Sequence, residues 1–370
     1  MKNLQNKKIA IVADWLSPRG GAEKVVLNFA ENFPAAPIFT TIFEKENFPE
    51  IPPPRVKTSF LQKFPKFLRR KYRALFSLFP AAIESFNFEN FDAVFASSIF
   101  VSKSILQNSR AKIFVYFHSP ARFLWEKNFL KNFPLPRFLK NFLQKKFSNL
   151  RIWDFISARR GDFFIANSQF TAAKIYKNFR IKCDLILPPP VDFTFFSRGN
   201  FKKENFFLAV GRLVSQKNWE ILIETFRQFP SKNLKIIGDG NLKNKLKKLA
   251  ADAKNIEFLG FVENEKLREN YATARAIIFP QKEDAGIVPL ESLSAGTPIV
   301  ALRAGGAAEN LNEKVAVFFE NQNCESLKNA ILKFEKMKFE KEILQNFARK
   351  FDEKNFAKKI KKFVAEKFHD

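Results

Sequence analysis

Short, almost wholly apolar runs alternate with stretches of helical pattern along nearly the entire chain, and this alternation limits the fold more than any other feature. An apolar run without a polar face belongs in a strand covered on both sides, as in a parallel sheet with helices packed over it. KKIAIVADWL opens the series and SPRGGAEKVVLNFAENF follows as loop and helix, with glycines at the junction. APIFTTIF, FDAVFAS, AKIFVYFH, DFFIANS and CDLILPPPVD continue it as strands. LPPPVDFTFFSRGNFKKEN, residues 187–205, then places three prolines before a polar, basic stretch, the composition of a domain boundary. A second series begins at FFLAVGRL, and NLKIIGDG, IEFLGFV, RAIIFP, PIVAL and VAVFFE are its later strands. The expected fold class is α/β: two doubly wound Rossmann-like domains facing each other across a cleft, with ligands at the carboxyl ends of the strands. The expected domains are residues 1–190 and 191–350, followed by a tail helix over 351–370.

Composition removes several function classes. Two cysteines, Cys183 and Cys324, cannot build a disulfide framework or a thiolate metal site, and they suit a reducing compartment. His118 and His369 are the only histidines, and no Asp-x-Asp pair occurs, so no bound metal is expected. The apolar run near the N-terminus is too short for a signal peptide, and no stretch is long enough to span a bilayer, so secretion and membrane spanning are disfavoured. The 48 phenylalanines against four tyrosines read mostly as core. The net charge is +26, with 31 basic and 13 acidic residues up to position 190 and 32 and 24 beyond it. A positive field concentrated on one half attracts nucleic acid, acidic lipid or phosphorylated substrates alike.

The residues able to do chemistry lie where strands end. GRLVSQKN puts Arg212 and Lys217 in one loop at a carboxyl edge, where a guanidinium fork and an ammonium can converge on a diphosphate. In KEDAGIVPLESLSAGTPIVALRAGGAAE, residues 282–309, Glu283 stands in the loop after a strand, and Pro289 suits the first turn of a helix that carries Glu291. The amides of Ala285, Gly286, Ile287 and Val288 are then helix-start donors, which bind phosphate oxygens well. The glutamates instead accept hydrogen bonds from the hydroxyls of a sugar or ribose. Glu257 and Glu265 share their spacing but lack glycines and the strand-loop-helix setting. His118 follows AKIFVYF at another carboxyl edge, and Gly20 and Gly21 permit a turn after the first strand.

These blocks, with KIIGDGNLKNKL in the second half and DWLSPRGGAEK, FDAVFASS, FHSPARFLW, LRIWDFISARRGDFFIANSQF and LPPPVD in the first, resemble the family-4 retaining glycosyltransferases of GT-B fold in order along nearly the whole chain. The resemblance implies that Arg212 and Lys217 bind the donor diphosphate. It also implies that Glu283 contacts the donor sugar beside the amides of Ala285 and Gly286 to Val288, that Glu291 holds the ribose, that Gly20 and Gly21 lie near the phosphates and acceptor, and that His118 meets the reacting sugar. Ala285 departs from the aromatic residue of many relatives, which changes the sugar pocket there. No pair of carboxylates suits a covalent glycosidase mechanism. The expected chemistry is a metal-independent front-face displacement in which the leaving diphosphate helps to deprotonate the acceptor.

Within the family, FHSPARFLW with LFPAAIESFNFENFDAVFASS is most similar to mannosyltransferases that use GDP-mannose in surface polysaccharide synthesis. The implied partners are a nucleotide sugar, a glycan or lipid-linked acceptor and an anionic membrane surface, with no cofactor and no specific nucleic acid. KTSFLQKFPKFLRRKYRALFSLFP, residues 57–80, carries seven basic residues and no acid, and residues 122–147 have a similar character, so peripheral attachment at the inner face of the cell membrane is expected of a cytoplasmic protein. A UDP-sugar transferase or a non-hydrolysing epimerase would share these motifs. The rival from another class is a non-catalytic polyanion-binding protein, motivated by the charge.

Overall fold

The computed structural model describes residues 7–17, 19–106, 110–126 and 136–368, so residues 127–135 of the basic stretch 122–147 lie outside the described residues. Two compact units divide the chain: residues 1–188 with 357–370, and residues 189–356. The first unit runs β1 (Ile9–Ala13), α1 (Gly21–Asn32), β2 (Ile38–Thr40), β3 (Val56–Thr58), α2 (Lys66–Arg70), α3 (Phe79–Glu84), β4 (Ala93–Ser98), β5 (Lys112–Phe117), α4 (Arg122–Trp125), α5 (Arg137–Ser157), β6 (Phe163–Ala166), α6 (Gln169–Phe179) and β7 (Leu185–Ile186). Its strands pair in parallel in the order β3-β2-β1-β4-β5-β6-β7. Every residue of β1 and β4 is buried, including the two serines that end β4.

Three aspartates set the register where strands begin. Asp92 accepts the amide of Lys8 (2.8 Å) and donates its own amide to the carbonyl of Lys8 (2.8 Å). Asp162 does the same with Ile113 (2.8 and 3.0 Å), and Asp184 with Phe164 (2.7 and 2.7 Å). Each stands one residue ahead of a strand and clamps the start of its neighbour, satisfying an amide that the ladder leaves unpaired. Slippage by one residue would break both bonds and turn the strand's side chains to the wrong face.

The basic segment 57–80 is less of a surface than its composition suggests. It includes most of β3, and Leu61, Leu75 and Phe79 are buried in the core while Arg69 pairs with the buried Glu44 at 2.8 Å. Phe67 remains exposed. Helix α5 is held from beneath by a buried charge cluster, in which the fully buried Asp154 receives the ammonium of Lys103 and the indole N–H of Trp125 (2.7 Å).

The second unit runs α7 (Phe193–Phe196), β8 (Phe206–Val210), α8 (Trp219–Arg227), β9 (Asn233–Ile237), α9 (Lys243–Leu249), β10 (Ile256–Gly260), α10 (Asn264–Thr273), β11 (Ala276–Phe279), α11 (Ile287–Ser294), β12 (Ile299–Leu302), α12 (Gly306–Glu309), β13 (Ala316–Phe319), α13 (Cys324–Glu335) and α14 (Lys341–Ala348), with strand order β10-β9-β8-β11-β12-β13. Alternate residues feed two cores: Leu208, Ile277 and Ile299 on one face of the sheet, Phe207, Ile278 and Val300 on the other. In each unit the strand order reverses beside the first strand, between β1 and β4 and between β8 and β11. Loops leaving such neighbours diverge to opposite faces and open a crevice at the carboxyl edge.

The last helix, α15 (Glu353–Lys367), is not a separate tail. From residue 357 onward it belongs to the first unit, where Phe363 meets Phe114 and Phe163 edge-on at 6.1 and 6.3 Å. Replacing Phe363, which is 8% exposed, with Ala should cost about 3 kcal/mol and lower the melting transition of the first unit. A thermal melt unchanged from the parent protein would show that these rings do not hold the unit together.

Candidate functional site

At the carboxyl end of β8 the chain turns at Gly211 and is tied to the next strand-loop: the Gly211 amide donates to Ile237 (3.0 Å) and the Leu213 amide to Asp239 (2.9 Å). A Cβ on Gly238 would lie 1.9 Å from the Gly211 carbonyl oxygen, so the two loops touch only because that position is glycine. The buried Trp219 donates its indole N–H to the Arg212 carbonyl (3.0 Å), fixing the loop's path while Arg212 itself is exposed. A short turn, Ser215–Lys217, then delivers Lys217 half-buried, and Asn218, in the left-handed region at φ 52°, starts α8.

The partner of Lys217 comes from the neighbouring strand across the reversal. Its ammonium forms an ion pair with the Glu283 carboxylate, both side chains less than one-fifth exposed. Glu283 is held by its main chain, whose carbonyl accepts the Gly306 amide at 2.8 Å. A Cβ on Gly305 would stand 2.3 Å from that carbonyl, and one on Gly306 would stand 2.0 Å from the carbonyl of Asp284. The second glycine cluster therefore exists so that the loop of Glu283 can lie against the loop after β12. The Asn310 amide nitrogen completes the clamp by donating to the Ala285 carbonyl (3.1 Å).

Helix α11 starts directly beyond this loop, with Gly286 as its N-cap at φ 72° and no side-chain cap bond. Ile287 and Val288 form its first turn, whose amides have no acceptor within the helix. Glu291 is one turn further on, 3% exposed, with Oε2 accepting the Tyr271 hydroxyl at 2.9 Å. Burial, and then the Glu291 carboxylate, push the Tyr271 phenol well above its ordinary range, so it remains a donor. Lys217, Glu283, the α11 start and Glu291 thus share the carboxyl edge at the β8–β11 reversal, with exposed Arg212 on the same loop as Lys217.

The first unit repeats the geometry at β1 and β4. Gly20, in extended backbone, caps α1, and Gly21 begins it. Asp14, just past β1 and 5% exposed, accepts the amides of Ile99 (2.6 Å), Phe100 (3.0 Å) and Ser102 (2.6 Å), wrapping the loop after β4 around its carboxylate. His118 follows β5: its Nε2 lies 2.8 Å from Ser97 Oγ, its amide donates to Ser98 (2.9 Å) and its carbonyl accepts Asn167 Nδ2 (2.9 Å). A recess of about 10 Å³, room for one water, lies among Asp14, Trp15, Ala22, Glu23, Val26 and Ser97.

Residues 191–364 match the family model described as Glycosyl transferases group 1, and residues 19–194 match Glycosyltransferase Family 4. The chain carries glycosyltransferase domains in both halves. It is 34% identical over 107 residues to the sulfoquinovosyl transferase SQD2 of Arabidopsis thaliana, covering 29% of this chain and 21% of that protein. It is 29% identical over 134 residues to a GDP-mannose-dependent monoacylated alpha-(1-6)-phosphatidylinositol monomannoside mannosyltransferase of Corynebacterium glutamicum, covering 33% and 35%. The matches thus span about a fifth to a third of these curated relatives. Among solved structures, Anabaena Alr3699/HepE in complex with UDP-glucose aligns with a TM-score of 0.69 at 18% identity over 98% of this chain and 100% of that one. The two parallel sheets and this likeness make the fold GT-B, a two-domain α/β architecture.

Sequence reasoning missed the supports of the site. Tyr271 and Asn310 are remote in sequence from the residues they hold and leave no local signal. Asp14 and Ser97 could have been found, because each stands at the end of a run read as a strand. Replacing Gly306 with Val must displace the Asp284 carbonyl, so nucleotide binding should fall by more than tenfold while the protein stays folded. Isothermal titration beside a thermal melt checks this, and an unchanged affinity would show that the clamp does not position the loop.

Proposed function

We propose that the protein is a retaining, metal-independent hexosyltransferase that moves mannose from GDP-mannose to a glycan or lipid-linked acceptor. The observation that carries this reading is the pairing of Lys217 with Glu283 beside the start of α11. A site that holds a cation against a carboxylate can exchange that partner for a phosphate. Lys217 then turns to the diphosphate with Arg212, while Glu283 is released to accept hydrogen bonds from sugar hydroxyls. The amides of Ala285, Gly286, Ile287 and Val288 face the same charge from the helix side. Glu291, oriented by Tyr271, accepts from the ribose.

As the bond to the sugar breaks, negative charge grows on the leaving diphosphate, and fixed cations and dipoles stabilise it without reorganising. His118, held by Ser97 and by two main-chain bonds, would hydrogen-bond the transferred sugar, and the exposed start of α1 at Gly20 and Gly21 would meet the acceptor side. The mannosyl donor is supported by the mannosyltransferase of Corynebacterium glutamicum among the relatives. A UDP-sugar is the second reading, favoured by the UDP-glucose complex of the Anabaena protein. A polyanion-binding protein without catalysis would bind nucleic acid in a salt-sensitive manner and ignore nucleotide sugars. The excess of basic residues in the first half supports a cytoplasmic enzyme attached peripherally to the inner membrane face.

Thermal melts with GDP, UDP and their sugar conjugates test the donor, since a ligand of the native state raises the transition by mass action. Lys217→Ala should lose roughly 2.7 to 4 kcal/mol of barrier stabilisation, a hundredfold to thousandfold in turnover, with little change in melting. Glu283→Gln should leave the nucleoside diphosphate bound as tightly or more tightly, because a competitor for Lys217 has lost its charge, yet depress transfer. Near-parental turnover of Lys217→Ala would remove the pair from the mechanism.

A further inference from the structure

Helix α5 turns a second apolar stripe away from the protein. Phe138, Phe142, Ile152 and Ile156 are 75%, 55%, 62% and 60% exposed. Successive residues advance by 100° around a helix, and these four fall on one line along the axis with the exposed Lys145 and Asn149 between them. The opposite face is already occupied: Phe147, Leu150 and Trp153 pack against the first-unit core, and Asp154 and Ser157 are buried. The outer stripe is therefore additional to the amphipathic pattern that folds the helix.

Charge selects what could cover it. Lys145 and Lys146 are exposed beside the stripe and Arg137 is exposed at the start of α5, whereas Arg151 is turned onto the Leu124 carbonyl (2.9 Å) and the helix's single acid, Asp154, is turned inward onto Lys103 and Trp125. The outer face thus offers apolar side chains and positive charge with no negative charge. From Phe138 to Ile156 the stripe extends about 27 Å at 1.5 Å per residue, a straight line suited to a plane. Ile152 and Ile156 offer no ring for a base to stack on, which disfavours single-stranded nucleic acid. Among the described residues no helix is long and apolar enough to cross a membrane.

We propose that α5 is the element by which the first unit lies on an anionic phospholipid surface, with Phe138, Phe142, Ile152 and Ile156 entering the headgroup boundary and the basic residues beside them meeting lipid phosphates. The assignment gives the peripheral attachment proposed above a specific contact surface. It does not depend on which sugar is transferred.

Flotation of the full chain with vesicles of phosphatidylcholine alone, or with phosphatidylglycerol added, tests it at low and high salt. The parent protein should float with the anionic vesicles and not with the neutral ones. The double variants Phe138→Ser with Phe142→Ser, and Ile152→Ser with Ile156→Ser, should each weaken partitioning about tenfold or more while keeping the parental melting transition and nucleotide response. Parent protein that never floats overturns the proposal, as do variants that float equally well. Tight binding to poly(U), lost in the phenylalanine variants and unaccompanied by vesicle binding, would instead assign the face to nucleic acid and overturn it too. Nucleotide binding is read separately by thermal shift, so failure of the glycosyltransferase reading would leave flotation intact.

Discussion

A parallel sheet whose strand order reverses beside its first strand cannot close its own carboxyl edge, because the two loops there leave toward opposite faces. Both sheets of this chain contain that reversal, at β1 and β4 and at β8 and β11. Every residue selected for chemistry lies on a loop or helix start that leaves one of these four strands, or the neighbouring β5. The site is thus a consequence of topology before it is a matter of side chains. Side chains decide only what the opening will hold.

In the second unit they set opposite charges side by side at that edge, Lys217 against Glu283. Lys217 and Glu283 are shielded from water enough for their attraction to exceed that of a surface pair, yet each retains some contact with solvent. A ligand carrying both phosphate and hydroxyls can satisfy the two groups separately, whereas a simple anion leaves Glu283 with a lost partner and a nearby negative charge. On the proposed function the pair would therefore favour a nucleotide sugar over inorganic phosphate. Its geometry rests on main chain rather than on side-chain packing, since Gly238, Gly305 and Gly306 allow carbonyls to approach closer than any Cβ would permit. Such contacts are short and stiff, which is what holding charged groups in register requires.

How much of this was legible in the sequence follows from how local each cause is. The strands of the second half could be read because their apolar runs are bounded by glycine, proline or asparagine, and the crossings place Lys217 and Glu283 together without any long-range guess. Strand β3 was hidden inside a basic segment because an edge strand of three residues, Val56–Thr58, needs no continuous apolar run. The return of α15 to the first unit was hidden because its helical pattern names a buried face and not the surface that buries it. Tyr271 was equally silent: a tyrosine within a helical stretch is ordinary core until the fold brings Glu291 to its hydroxyl. Glu291 itself was visible, but its burial was not. The carboxylate is oriented by a donor that only tertiary structure supplies.

The uneven charge of the chain has a structural counterpart as well. In the first half the few acids are largely committed to the fold: Asp92, Asp162 and Asp184 clamp strand starts, Asp14 gathers three amides of one loop, and Asp154 neutralises Lys103 inside the core. A carboxylate that accepts a main-chain amide keeps its charge, and Asp92 also pairs with Lys7 at 3.6 Å. With 13 acids against 31 basic residues up to position 190 the field of this half is positive, and several of those acids sit where the sheet is registered and its loops are tied rather than among the exposed basic side chains. Replacing these aspartates by neutral residues would raise the net positive charge and, at the same time, leave amides unpaired at the strand starts. The same residues therefore set strand register and hold part of the negative charge of this half.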